Sequence, residues 1–99
     1  MSKRIQINAI AYEEGGAWVA QGIEYDIVAF ATDVLDLPDA FARAVAENIC
    51  IAQQLGREPL QGIKPAPQRF ADLFQRAGRV DMRPTKQNAT ADVAVRVAA

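Results

Sequence analysis

The chain has 99 residues, of which 51% are hydrophobic and 23% charged, so it suits one compact domain and is too apolar to be disordered. A formal net charge of −1 gives no overall field to recruit nucleic acid or an anionic membrane. One cysteine excludes an intrachain disulfide, and the lack of any histidine removes Ser-His-Asp and Cys-His catalysis and the commonest zinc ligand.

The near-neutral total hides an asymmetry. Residues 1–56 hold three basic and eight acidic side chains, whereas residues 57–99 hold eight basic and four acidic. Either a solvated surface is unevenly charged, or opposite faces meet partners, which are copies of the chain or a basic protein. Met1-Ser2-Lys3-Arg4-Ile5 starts basic, but Asn8, Glu13 and Glu14 prevent a long apolar run after it, so a signal peptide is not expected. No stretch approaches the roughly 20 apolar residues that a membrane helix needs. A cytoplasmic location, with no membrane association, is the expectation.

From Arg4 to Tyr12 the pattern has period two, with Ile5, Ile7, Ala9 and Ala11 on one face and Ile10 breaking the polar other. Glu13-Glu14-Gly15-Gly16 reads as a hairpin loop, and Ala17 to Ile23 as the returning strand. After a polar link, Glu24-Tyr25-Asp26, a third strand spans Ile27 to Thr32. It is apolar on both faces, which normally means a central strand or one covered on both sides. Three strands joined this closely form an antiparallel meander.

Asp36-Leu37-Pro38-Asp39 has the features of a helix start, with Asp36 as cap and Gly56 as the stop. Leu37, Phe41, Ala44, Val45, Asn48, Ala52 and Leu55 line one face, and Asp39, Arg43, Glu47 and Gln54 lie opposite. Arg57 to Pro67 reads as a loop. A second helix begins near Pro65 or Pro67, carries Phe70, Leu73, Phe74 and Ala77 on one stripe, and ends at Gly78. Val93, Val95 and Val97 then mark a last strand that either returns to the sheet or pairs with another copy. The expected fold is α+β, an antiparallel three- to four-stranded sheet on one long helix in the order βββα-α-β. Residues 1–99 form one domain, with a core at 4–78, a linker at 79–89 and a C-terminal strand at 90–98.

Chemistry has few places to reside. Ser2 is the only serine, and Gly15-Gly16 lies between strands, where a phosphate loop would precede a helix. Cys50 falls opposite the core stripe with no base or helix N-terminus beside it in sequence, which fits an inert or interface thiol. Glu24, Asp26, Asp33 and Asp36 are close enough in sequence to raise a carboxylate metal site, yet a link, a turn and a cap account for them. Arg76, Arg79, Arg83 and Lys86 form a basic patch without stacking aromatics, so direct nucleic-acid binding is not expected. No cofactor and no catalytic or metal-binding residues are assigned.

Trp18-Val-Ala-Gln-Gly-Ile-Glu-Tyr-Asp-Ile-Val-Ala, followed by Asp36-Leu-Pro-Asp-Ala-Phe-Ala-Arg-Ala, resembles the HicB-like antitoxin family over about residues 4–55. Trp18 to Ala20 matches the strand end, Glu24 to Ile27 the acidic link, and Asp36, Leu37, Asp39 and Ala40 the helix start. The resemblance implies a partial RNase-H-like fold without nuclease activity. It also implies that the domain covers a small basic mRNA-cleaving toxin. The family's C-terminal DNA-binding module has no counterpart after residue 56.

Three functions compete. The first is a HicB-like protein-interaction module, a toxin-neutralising antitoxin of a type II pair, with Glu24, Tyr25, Asp26, Arg43 and Glu47 as candidate partner-binding residues. The second is a structural or regulatory homo-oligomer, a dimer or higher, with Val93, Val95 and Val97 as candidate interface and Ile10, Ile49 and Ile51 as apolar residues beyond one core's needs. The third is a metal-dependent nuclease using Glu24, Asp26 and Asp33.

Overall fold

In the computed structural model, which describes residues 4–78, 81–86 and 90–98, the first hairpin turns on Gly15 and Gly16 at φ 59° and 82°. Two successive positive φ values make the type I′ turn, whose twist matches that of the strands it joins. Strand β1 (Ile5–Glu14) and strand β2 (Ala17–Gly22) therefore pair up to the glycines, and Glu13 and Glu14 extend the strand that was expected to end before them. Gly22 then donates its N–H to the Ile27 carbonyl at 2.8 Å. A Cβ there would run into the Tyr25 carbonyl and crowd the Phe41 ring, so only glycine lets the link fold back this tightly. Strand β3 (Val28–Ala31) follows, antiparallel to β2.

A long helix, α1 (Leu37–Gln54), crosses one face of the sheet. Its N-terminus corrects the cap expected at Asp36. Asp33 accepts the Leu35 N–H at 2.9 Å and opens a 3-10 turn, Val34–Asp36, that leads into α1, while Asp36 makes no side-chain capping bond. The buried stripe is Leu37, Phe41, Val45, Ile49 and Ala52. Ile49 joins it at 5% exposure, and Leu55 leaves it at 62% because it lies at the helix end with non-helical ψ. Ile49 is therefore a core residue and no surplus.

Loop 55–67 is pinned by Leu60, which is buried although its φ is 64°. A leucine in that region is strained, and the apolar surface it removes from water offsets the cost. Helix α2 (Gln68–Arg76) then crosses the other face of the sheet, and Phe74 and Ala77 cover Ile10. The apolar interruption in the polar face of β1 is the contact point of this second layer. Tyr12 stacks on Phe70 with ring centroids 6.1 Å apart.

Among the described residues the sheet has five strands in the order β3-β2-β1-β5-β4, which corrects the expected number and direction. Strand β5 (Ala91–Val97) runs parallel to β1, from Ile5 beside Ala91 to Ala11 beside Val97, so the sheet is mixed. Strand β4 (Asp81–Met82) pairs with β5 inside the segment expected to be a linker. Arg96 donates to the Asp81 carboxylate at 2.8 Å and lies 4.2 Å above the Phe74 ring, which holds β4, β5 and α2 together. Thr85 donates to Asp39 through its N–H at 2.7 Å and ties the same segment to the first turn of α1. Residues 79–80 and 87–89 of the expected linker, Arg79 of the basic patch among them, lie outside the described residues. Among the described residues, no helix is long and apolar enough to cross a membrane.

Candidate partner-binding edge

Strand β3 was expected to be central or covered on both faces, and it is an open edge instead. β5 joins the sheet beside β1, so among the described residues no strand adds to the far side of β3. Ala29 faces the α1 layer and is buried. Val28 and Phe30 point to the opposite face, where α2 packs on β1 and leaves them 40% and 66% exposed. Leu35, in the 3-10 turn just beyond, is 75% exposed.

The ladder phase fixes the backbone of this edge. The bond from Gly22 to Ile27 marks a hydrogen-bonded pair, and such pairs alternate along an antiparallel ladder. Ala29 and Ala31 therefore bond to β2 through their partners Ala20 and Trp18. By this phase the N–H and C=O groups of Val28 and Phe30 point away from β2, and among the described residues no backbone bond from outside the ladders reaches them.

The acidic link before β3 is committed to the chain's own fold. Glu24 accepts from the Asn8 N–H at 2.7 Å and from its side-chain amide at 2.8 Å. Asp26 accepts from the Gln21 amide at 2.7 Å and donates its own N–H to the Lys64 carbonyl. Gln21 is buried, and the bonds of its amide to Asp26 and to the Gly22 carbonyl at 3.1 Å allow that burial. Tyr25 packs against the core under α1. Arg43 and Glu47 are exposed on the outer side of α1, whereas Glu24 grips a residue of the α2 face, so the five candidate partner-binding residues do not form one surface. Val93 and Val95 are buried in the chain's own core and Val97 packs against it. In this arrangement the side chains of Val93 and Val95 offer no surface to a second copy, and Val97 is half-buried.

Among the described residues, Glu24, Asp26 and Asp33 are not gathered into a group of three carboxylates able to hold a metal. Cys50 is exposed, as its helical phase predicts. The Tyr12 hydroxyl titrates above its ordinary value of 10.0, chiefly because burial disfavours the phenolate, with Glu14 adding to the shift and Arg69 opposing it. It stays protonated near neutrality. The sequence pattern missed the apolar edge, although one signal was present: the last strand of a meander has a free side unless a later strand docks there. The chain matches no protein-family model, no curated protein and no solved structure.

Proposed function

We propose that this chain is a protein-binding module with no catalysis of its own, and that its partner is a small basic protein. The observation that carries the reading is the uncovered edge, with Phe30 66% exposed on a strand whose outward backbone groups take no backbone bond from outside the ladders among the described residues. Covering Phe30 removes apolar surface from water and contributes about 1–2 kcal/mol to a complex. The resemblance to HicB-like antitoxins supports the same reading and supplies a partner class, a small mRNA-cleaving toxin. The acidic balance of residues 1–56 suits such a partner, and the attraction weakens as salt screens it.

The test is co-expression with any small basic protein encoded beside this one. A complex that survives size-exclusion chromatography and loosens with salt supports the reading, and separate elution at low salt rejects it. A second reading, a homo-oligomer with no toxin, draws on the same edge, because a strand can pair with its own copy across a two-fold axis. Sedimentation of the isolated chain distinguishes the two.

A further inference from the structure

We infer that the open edge of β3 is a strand-addition site for an extended segment of the partner that carries lysine or arginine at both ends. The inference rests on the protein-binding reading and specifies how the partner is held. Val28 and Phe30 supply outward N–H and C=O groups and exposed apolar side chains from the same two residues. An incoming strand that bonds to those groups lays its alternate side chains beside Val28 and Phe30, so one geometry satisfies backbone and side chains together.

Edge strands are ordinarily blunted by lysine, proline, a bulge or shortness. Among the described residues the opposite edge, β4, is two residues long. β3 is four residues long, reads Val-Ala-Phe-Ala, and carries no lysine or proline.

Charge selects the occupant. The stretch from Ile5 to Ala42 holds seven carboxylates and no lysine or arginine. Asp26 precedes β3 by two residues, Asp33 follows it by two, and both are exposed. Lys64 meets the Asp26 end through its backbone carbonyl, which accepts the Asp26 N–H. A strand laid along this edge passes both ends, so cations about six to eight residues apart in the partner meet carboxylates. A second copy pairing Val28 with Phe30 of its mate brings Asp26 of each chain near Asp33 of the other, a like-charge juxtaposition that disfavours the dimer.

The experiment titrates the isotope-labelled full chain with a synthetic peptide that has alternating valine and threonine between paired lysines, and with a twin carrying glutamates instead. The lysine peptide should shift the amides of Val28 to Ala31 and slow exchange at Val28 and Phe30. Its affinity should fall about tenfold between ~0.05 M and ~0.5 M salt, and the glutamate twin should not bind. Phe30→Lys alters an exposed side chain, and Val28→Pro removes an outward N–H at the first residue of the strand, where proline is tolerated. Each should weaken the lysine peptide at least about tenfold with the melting temperature unchanged.

Shifts elsewhere, equal binding of the two peptides, or wild-type affinity in both variants would overturn the assignment. A wild-type dimer that Phe30→Lys converts to monomer would assign the edge to a second copy and overturn it as well. If Phe30→Lys and Val28→Pro retain a co-expressed basic protein, the edge assignment falls and the binding-module reading stands. If wild type binds neither peptide nor protein, both fall.

Discussion

Glu24 holds Asn8 by two bonds, one to its backbone N–H at 2.7 Å and one to its side-chain amide at 2.8 Å, which fastens the acidic link to β1. A carboxylate accepts both because it has two oxygens and no donor of its own. Glu24→Gln keeps the shape but leaves one acceptor oxygen for two donors. The site is exposed, so the loss should be about 1 kcal/mol, read as a lower urea midpoint with an unchanged slope. A change in partner affinity in this variant would then be indirect, acting through the position of β3.

Phe41 and Phe30 are the same residue type on opposite sides of the burial divide, and their truncations should separate cleanly. Phe41 is fully buried between α1 and the sheet, and Phe41→Ala should cost about 3–5 kcal/mol in denaturant unfolding. Phe30→Ser should stay within about 0.5 kcal/mol of wild type, because little contact is lost. A large loss at Phe30 would mean that its ring supports the monomer and is not a surface for a partner.

Tyr12 gives a pH dependence with a definite sign. Its folded-state pKa lies above the unfolded value, so the folded chain holds the proton more tightly. The contribution is fully present below pH 10 and is lost as pH rises through the folded value. Thermal unfolding followed from pH 8 to about 11 should show falling stability in wild type, and a shallower fall in Tyr12→Phe. Equal slopes would remove Tyr12 from the account.

The hairpin and α1 were legible because local chemistry dictates them. Gly15 and Gly16 can take two positive φ values in succession, and the apolar spacing from Leu37 to Ala52 has one helical solution. The Asp33 cap was not legible, since a 3-10 turn interposed before a helix leaves no periodic trace. The role of Ile10 depended on α2 crossing the second face, a contact about sixty residues away in sequence. The status of β3 depended on a choice of the same kind. The valines at 93–97 announce a strand but not its neighbour, and docking beside β1 left β3 at the edge. The apolar edge proposed as the docking site was thus hidden by topology, while the charge asymmetry around it was open to reading.

The last strand supplies the sharpest test of the sheet. Sequence pattern allowed Val93, Val95 and Val97 to serve an interface between copies, in which case removing the C-terminal segment should only change the oligomer. In the sheet, β5 instead separates β1 from β4, with Val93 and Val95 buried over α1. Deleting residues 90–99 strips the parallel partner from β1, leaves β4 with nothing to pair with, and opens the core beside Ile7 and Phe41. The deleted chain should lose its cooperative unfolding transition and its dispersed amide spectrum. Val95→Ala, which keeps the strand, should cost about 2 kcal/mol and leave the transition two-state. A deleted chain that still melts cooperatively, with only its oligomeric state altered, would show that β5 is not an integral part of the core.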